Sequence, residues 1–242
     1  MISVVVPALN EEGGLAQTVQ SLMNAAKAAG GIALDIIVVN DGSTDGTGPL
    51  ADRLAAENPG VRVIHQPVNR GLGAGWLAAL AQAKYPKFMF VPGDNDVSLA
   101  MMTELMSHHA DADLVLAYFL NKEERGRRRN VISSIYNNIY MVSFNVFIQY
   151  ITGPAIYSTN TLRSANLKST RFSIISEATI KSLRSGCSFC EVAGYAQTGK
   201  QGSSALSIRN LAEVITGYLR LMWEVHIRQN PTFGRKPRRV RF

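Results

Sequence analysis

Residues 2–15 are ISVVVPALNEEGGL, a mostly apolar run that gives way after Leu9 to an Asn and two Glu before a pair of glycines. The apolar side chains are consecutive rather than alternating, which is typical of a strand buried on both faces of a parallel sheet. The following residues, up to Gly30, have the apolar spacing of an amphipathic helix. The stretch therefore predicts a strand, an acidic turn and a helix, the first unit of an α/β fold.

The same unit recurs through the first half of the chain. Further strands are predicted at residues 34–41, 61–67, 88–93 and 113–119, with a helical pattern between each pair. We therefore predict an α/β fold in which a mostly parallel sheet is flanked by helices. Ligands of such sheets bind beyond the carboxyl ends of the strands.

The second half is less regular. A basic cluster leads into an apolar stretch that ends near residue 151, and a helix, a strand and a long helix follow at 175–186, 188–196 and 205–228. The last residues, NPTFGRKPRRVRF, are basic and broken by proline. We predict one domain over residues 1–229, with halves 1–119 and 120–229, followed by a flexible basic tail at 230–242.

Composition narrows the class of protein. At 242 residues and 46% apolar content the chain is long enough for one full hydrophobic core. No apolar run reaches the roughly 18 residues of a membrane span, and residues 1–12 lack the basic region and cleavage site of a signal peptide. The sequence therefore predicts a cytoplasmic chain.

Charge is distributed unevenly along the chain. Residues 1–121 hold 6 Lys/Arg and 12 Asp/Glu, whereas residues 122–242 hold 19 and 6. An acidic first half makes nucleic acid an unlikely partner, and an anionic small acceptor or an anionic membrane surface fits the basic half better.

The two cysteines, Cys187 and Cys190, form a C-x-x-C at the start of a predicted strand. No second pair and no nearby His completes a zinc site. We predict two reduced, buried thiols.

Acidic residues follow three of the predicted strands. The sequence FMFVPGDNDVS, residues 88–98, places Asp94 and Asp96 after an apolar run, Asp41 follows the second strand, and Asn10–Glu12 follow the first. A single D-x-D is usually a solvated turn. Three acidic turns on one sheet edge favour a site for a hard divalent cation, Mg²⁺ or Mn²⁺, which takes oxygen ligands and keeps positions for substrate phosphates.

Four segments together, VVVPALNEEGGL, DIIVVNDGSTDGT, NRGLGAGWLAAL and FVPGDNDVS, resemble the nucleotide-sugar half of family 2 glycosyltransferases with the GT-A fold. The dolichyl- or polyprenyl-phosphate sugar synthase branch is the most similar, and the likeness is dense from residue 2 to about residue 118. The resemblance implies that Asp41 holds the nucleobase and that Asp94 and Asp96 bind metal and diphosphate. It also implies a nucleotide-sugar pocket lined by Pro7, Ala8, Leu9, Asn10, Glu11, Gly71 and Asn95. A dinucleotide-binding loop is a poorer interpretation of the glycine cluster, because the spacing is G-x-G-x-G and no strand directly precedes it.

The acceptor half resembles the family less closely. Ala117-Tyr118-Phe119 stands where the dolichyl-phosphate mannose synthases carry Gly-Ser-Arg, so their phosphate-binding Arg has no direct counterpart. We predict Arg125 and Arg129 in that role, with Lys122 and Arg128 as alternatives. A lipid phosphate is already an anion at neutral pH and needs cations rather than a base. A saccharide or other hydroxyl acceptor would need a general base, for which the candidate is Glu177.

The sequence therefore favours a metal-dependent, inverting glycosyltransferase that moves a sugar from a GDP- or UDP-sugar to polyprenyl or dolichyl phosphate, peripheral on the cytoplasmic membrane face. Two alternatives stay open: a transferase with a hydroxyl acceptor, and a non-catalytic binding module on the same fold. The apolar residues 139–151 fit either a membrane interface or a protein core. The tail cations at 235, 236, 238, 239 and 241 fit contact with anionic lipid, and a membrane-embedded partner or a homo-oligomer is also possible.

Overall fold

The computed structural model describes residues 1–121, 127–195, 208–228 and 230–241, and it carries backbone but not side-chain description at 127–129 and 208–211. The first half alternates strands and helices as predicted. They are β1 (Ile2–Ala8), α1 (Leu15–Ala28), β2 (Leu34–Asp41), α2 (Thr47–Glu57), β3 (Val61–Gln66), α3 (Leu72–Gln82), β4 (Lys87–Phe90), α4 (Leu99–Ser107) and β5 (Leu114–Phe119).

The second half adds helices and three further strands. These elements are α5 (Arg127–Phe144), β6 (Ala155–Ser158), α6 (Thr159–Ser164), α7 (Ser173–Arg184), β7 (Ser188–Gly194), α8 (Ile208–Met222) and β8 (Arg238–Arg239). The predicted long helix is present, but its last turn, Trp223–Ile227, is π-helical. A 3-10 turn, Pro231–Phe233, precedes β8.

One sheet of eight strands runs through the described residues in the order β3-β2-β1-β4-β6-β5-β7-β8. Strand β6 pairs antiparallel with β4 and β5, and the other neighbouring pairs are parallel. The carboxyl ends of β1, β2, β3 and β4 therefore meet at one edge, which confirms the predicted α/β class and places the acidic turns side by side.

Alternate residues of each central strand enter two cores, one on each face of the sheet. In β1, Val4 and Val6 pack with α1 and α4, and Val5 packs with the opposite core. The second core includes Trp76 of α3, which meets Phe88 edge-on with 4.8 Å between ring centroids. This period of two on a fully buried strand explains why the apolar residues of β1 and β2 are consecutive.

The C-terminal residues differ from the predicted flexible tail. Backbone N–H groups of Arg238 and Val240 donate to the carbonyl oxygens of Cys187 and Phe189, so the segment forms an edge strand beside β7. Arg239 pairs with Glu191 at 2.7 Å, and Phe233 is buried. A buried aromatic residue and a free sheet edge, neither of which charge and proline content indicate, account for the difference.

The described helices include none with the length and apolar character needed to cross a bilayer. Cys187 and Cys190 are free and buried, as predicted. Burial raises the thiol pKa to about 12 for Cys187 and to about 11 for Cys190.

Candidate active site

The turns after β1 and β2 are tied to each other by side chain to backbone hydrogen bonds. Asn10, which adopts a left-handed conformation at φ 57°, accepts from the backbone N–H of Thr44 at 2.9 Å, and its own N–H donates to the Ser43 hydroxyl at 3.0 Å. Asn is one of the few residues that adopts this conformation readily. The predicted Asn10 and the turn at 42–47 thus form one surface at the sheet edge.

The two glutamates after β1 have different surroundings. The backbone N–H of Glu11 donates to the Thr47 hydroxyl at 2.8 Å, which anchors the start of the turn. The Glu12 carboxylate accepts from the backbone N–H of Gly46 at 2.7 Å. Glu12 therefore braces the β2–α2 turn, a role that the sequence did not predict.

Asp41 organises the loop before α3. Its two carboxylate oxygens accept from the backbone N–H groups of Arg70 at 2.7 Å and Gly71 at 2.9 Å. The next residue, Gly42, has φ +72°, and a Cβ there would lie 2.6 Å from the carbonyl carbon of Val68. Asp41 and Gly42 together hold residues 68–71 against the carboxyl end of β2.

The D-x-D turn is pinned to the first β-α unit. The backbone N–H of Gly93 donates to the Pro7 carbonyl at 3.1 Å, and the Thr18 hydroxyl donates to the Gly93 carbonyl at 3.1 Å. A Cβ on Gly14 would lie 3.0 Å from the backbone of Asp94, so the missing side chain favours this close approach of α1 to the turn.

The two aspartates lie on either side of a buried residue. Asn95 is buried with φ 57°, and the backbone N–H of Asp96 donates to Asp94 Oδ1 at 3.0 Å. Both Asp side chains are half-buried. The left-handed residue between them turns the chain so that both carboxylates belong to one short loop at the edge.

The donor set of this loop suits a divalent metal ion. Two carboxylates supply hard oxygen ligands, and Mg²⁺ is typically held by one or two carboxylates plus substrate phosphates. Within the residues that the structure describes, no group of three or more His, Cys, Asp or Glu is placed to hold a metal by itself. The loop therefore fits an ion whose remaining ligands come from a diphosphate, and it does not form a closed structural metal site.

The glycine cluster of α3 approaches the acceptor half of the chain. Gly71 has φ +94°, and a Cβ on Gly73 would lie 2.5 Å from the carbonyl oxygen of Ser169. The Thr170 carbonyl accepts from the backbone N–H of Ala74 at 3.0 Å. The small residues thus allow close contact with the backbone of residues 169–171, a partner that the glycine pattern alone does not identify.

Glu177 lies in a buried ionic cluster behind this contact. Its carboxylate accepts from the backbone N–H groups of Lys168 at 3.1 Å and Ser169 at 2.8 Å. Lys181 Nζ, which is 0% exposed, lies 2.7 Å from Glu177 Oε1 and 2.8 Å from Glu224 Oε2. Lys168 Nζ lies 2.9 Å from Glu224, and the Arg220 guanidinium lies 3.9 Å from Glu177 Oε2.

The electrostatics of the cluster keep Glu177 ionised. Burial alone would raise the pKa of its carboxyl, but the charge and hydrogen bond of Lys181 and the Ser169 contacts outweigh burial, so the pKa lies below the ordinary 4.5. A carboxylate stabilised in this way is a weak proton acceptor. The geometry shows Glu177 positioning residues 168–169 through their backbone.

The remaining predicted residues fall in several places. Pro7 and Ala8 end β1, with Ala8 buried, and Leu9 is 41% exposed beside them. Arg125 lies outside the described residues, as does Lys122, and the side chains of Arg128 and Arg129 are not described. The structure therefore assembles the donor-side residues at one edge, whereas the side chains of the predicted acceptor cations lie outside the described residues.

The fold is the GT-A fold. Glucosyl-3-phosphoglycerate synthase from Mycobacterium tuberculosis, solved with phosphoglyceric acid, superposes with a TM-score of 0.67 at 20% identity over 92% of this chain and 80% of that one. The same enzyme solved with Mn²⁺, UDP-glucose and phosphoglyceric acid gives 0.66 at 21% identity, over 92% and 79%. At these identities the likeness shows the fold, and it confirms the predicted fold class.

The sequence model of Glycosyl transferase family 2 matches residues 3–172, and the chain belongs to that family. Undecaprenyl-phosphate mannosyltransferase from Micrococcus luteus is 30% identical over 118 residues, which cover 48% of this chain and 46% of that protein. Polyprenol monophosphomannose synthase from Mycolicibacterium smegmatis is 42% identical over 76 residues, covering 31% and 27%. These matches span less than half the length of either relative.

Proposed function

We propose that this chain is a metal-dependent, inverting glycosyltransferase that moves a sugar from a nucleotide diphosphate sugar to a lipid phosphate such as polyprenyl or dolichyl phosphate. The observation that carries the donor half of the proposal is the D-x-D loop fixed to Pro7, Thr18 and Gly14. The loop shares its sheet edge with the turns after β1 and β2, where a nucleotide bound in the manner of the fold would lie.

Asp94 and Asp96 would hold Mg²⁺ or Mn²⁺, and the ion would neutralise charge on the departing diphosphate. Asp41 would bind the nucleobase with the lone pairs that Arg70 and Gly71 leave open. Complexes of glucosyl-3-phosphoglycerate synthase with Mn²⁺ or Mg²⁺ and UDP support the pairing of metal and nucleotide. A thermal-shift screen decides between a GDP-sugar and a UDP-sugar.

The acceptor half of the proposal depends on chemistry and on relatives. A phosphate oxygen of the acceptor would attack the anomeric carbon of the donor sugar while the bond between that carbon and the diphosphate breaks. This attack inverts the configuration at the anomeric carbon and releases the nucleoside diphosphate. The attacking oxygen is already anionic, so no base is required. Arg125 and Arg129, with Lys122 and Arg128 nearby, would hold the phosphate. The names of the mannosyltransferase and mannose synthase relatives support this acceptor class, and its lipid would place the enzyme on the cytoplasmic membrane face.

A hydroxyl acceptor with Glu177 as base has weaker support. The carboxylate of Glu177 is ion-paired with Lys181 and accepts two backbone hydrogen bonds from residues 168 and 169. Its lowered pKa reduces its strength as a base at neutral pH.

A thermal-shift screen of GDP- and UDP-sugars with Mg²⁺ and Mn²⁺ tests the donor site. A true donor at 100 times its Kd stabilises the folded state by about 2.7 kcal/mol, or roughly 5–10 °C in Tm for a chain of this size. Asp96→Asn should remove the shift, whereas Asp111→Asn, an exposed aspartate before β5 at the opposite sheet edge, should not.

Transfer is then measured with polyprenyl phosphate and with the corresponding free polyprenol. Turnover with the phosphate alone is expected. Turnover with the alcohol, abolished in Glu177→Gln with normal donor binding, would replace the lipid phosphate with a hydroxyl acceptor. The absence of any metal-dependent donor shift would overturn the whole proposal.

A further inference from the structure

The last described helix carries an apolar stripe on its outer face. Ile215, Leu219, Trp223 and Ile227 recur every four residues along α8 and its π-helical turn, and each is between 50% and 63% exposed. The outer face of a helix in a soluble protein is normally polar. This helix therefore shows an apolar surface on both its inner and outer sides.

Helix α5 carries a second stripe of the same kind. Val131, Ile135, Ile139 and Val142 follow one another at three- and four-residue spacing and are 48% to 78% exposed. Large apolar residues exposed singly are ordinary, but rows of four on each of two helices need an explanation.

The two stripes lie on helices that contact each other. The rings of Tyr140 and Tyr218 are 5.3 Å apart between centroids, and the hydroxyls of Ser143 and Tyr218 are 2.6 Å apart. His226 Nε2 lies 2.7 Å from the Ser143 carbonyl oxygen, to which it donates. Contacts between the inner faces leave the aliphatic residues outward, and we call the two stripes together the α5–α8 face.

On the described parts of α5, α8 and the π turn, no acidic side chain is exposed beside the α5–α8 face. The sequence has no Asp or Glu from residue 125 to residue 176. The two acids of α8 and its π turn are engaged inside the protein, Glu213 by the Ser173 hydroxyl and Glu224 by Lys168 and Lys181. Arg228, at the end of the π turn, is exposed.

An anionic lipid bilayer matches this combination of apolar and cationic groups. Surface-bound helices insert apolar side chains at the headgroup level, and basic residues add attraction to anionic lipid. Trp is favoured at that depth. A second copy of the chain would instead bring two cationic surfaces together.

We propose that the α5–α8 face docks on the surface of a bilayer that contains anionic lipid. This rests on the membrane location in the proposed function and names the surface that makes the contact, but docking itself requires neither donor nor metal. The contact is made by folded helices in the acceptor half, whereas the C-terminal segment, which the sequence favoured as a lipid contact, uses Arg239 to pair with Glu191.

The two tryptophans give a direct measurement. Trp223 is 57% exposed on the α5–α8 face, and Trp76 is 1% exposed in the core. Vesicles with about one-third phosphatidylglycerol should shift the emission of Trp223 to the blue, and brominated lipid should quench it. Trp223→Phe should abolish both signals, since Trp76 does not reach lipid.

Substitutions then locate the contact. Ile215→Gln, Leu219→Gln and Ile227→Gln combined should weaken vesicle partitioning by at least about tenfold. The matched variant with Ile215→Leu, Leu219→Met and Ile227→Leu should bind like the parent chain. Arg228→Gln should weaken binding to anionic vesicles about fivefold, and Arg53→Gln, on exposed α2, should leave it unchanged.

Three outcomes would overturn the proposal. One is no vesicle binding by the parent chain, and another is binding that the polar triple variant retains. The third is a dimer, seen by light scattering without lipid, that the triple variant dissociates, since it would make a second copy the occupant. Should the triple variant fail to fold, quenching of Trp223 in the parent chain decides the question alone. Loss of donor binding in the same preparation would bear on the transferase reaction and not on docking.

Discussion

Replacement of Lys181 by Met should destabilise the protein strongly at neutral pH. The ammonium group is fully buried and lies within 3.0 Å of Glu177 Oε1, Glu224 Oε2 and the carbonyl oxygen of Asn166. Removal of the cation leaves two carboxylates facing each other inside the protein. Breaking a buried ion pair from one side typically costs about 3–5 kcal/mol.

Protonation limits the loss in free energy of unfolding, because one of the two carboxylates can take up a proton instead of staying charged. Glu224 keeps Lys168 at 2.9 Å and Glu177 keeps Arg220 at 3.9 Å, so a single protonation suffices. With an unfolded-state pKa near 4.5, protonating one glutamate costs about 3 kcal/mol at pH 7 and less than about 1 kcal/mol at pH 5. The penalty of Lys181→Met should therefore be about 3 kcal/mol at pH 7 and fall by about 2 kcal/mol at pH 5.

The sign of this pH dependence distinguishes an electrostatic penalty from a penalty caused by lost packing, which would not change with pH. In the parent chain burial opposes ionisation of both glutamates, but their cationic partners hold both pKa values below 4.5. The two ionised carboxylates therefore stabilise the fold above pH 4.5, and this stabilisation is lost as the pH falls through their lowered folded-state pKa values. In Lys181→Met one glutamate must be protonated in the folded state, so the free energy of unfolding of the variant approaches that of the parent chain as the pH falls.

Urea unfolding followed by circular dichroism at pH 5, 6 and 7 measures the penalty as a difference in the free energy of unfolding. Lys27→Met, on the exposed end of α1, is the control and should change that free energy by less than about 0.5 kcal/mol. A Lys181→Met penalty under about 1 kcal/mol at pH 7, or one that stays constant to pH 5, would refute the reasoning.

Three further predictions concern packing and the sheet edge. Gly73→Ala should cost about 1–3 kcal/mol, because the new Cβ would lie 2.5 Å from the Ser169 carbonyl oxygen; chemical denaturation measures it, and Gly13→Ala, where a Cβ meets nothing within 4 Å, is the control. Arg239→Gln should lower the free energy of unfolding by about 1–2 kcal/mol, since it leaves the Glu191 carboxylate without its 2.7 Å partner; an unchanged value would show that β8 contributes little. Cys187 and Cys190 should react with a thiol reagent at pH 8 only as fast as the protein opens, because both are buried with thiol pKa values of about 12 and 11; fast labelling of the native protein would contradict their placement.

Much of the first half follows from the sequence because its signals are local. The β2 boundaries, Leu34 and Asp41, coincide with the predicted run, since the consecutive β-branched residues Ile36–Val39 between glycine-containing turns have few other interpretations. The acidic turns at Asn10, Asp41 and Asp94 were also predicted on one edge, because parallel strands with helical crossovers leave no other arrangement of their ends.

The second half depends on contacts between residues far apart in sequence. Strand β6, AIYS, is four residues long and pairs antiparallel with β4, more than sixty residues earlier, so neither its length nor its neighbours indicate it. Lys181 meets Glu224 across 43 positions, and no periodicity predicts that an acid of α7 and another of the π turn share one cation. At the site, the sequence marks Asp41 as acidic but not that its carboxylate holds Arg70 and Gly71.

The antiparallel strand β6 has a consequence for how the chain acquires its structure. It joins two blocks of parallel strands, β3-β2-β1-β4 and β5-β7-β8, through three paired residues on each side. The pairs β1–β2 and β2–β3 join consecutive strands, whereas β4 reaches β1, and β6 reaches β4, across more than sixty residues. Such long-range closure is slow. We expect pulsed hydrogen exchange during refolding to protect β1 and β2 before Ile156 and Tyr157, so that β1, β2 and β3 form first and serve as the template on which the rest of the sheet is assembled. Simultaneous protection of both blocks would show instead that β6 belongs to the folding nucleus.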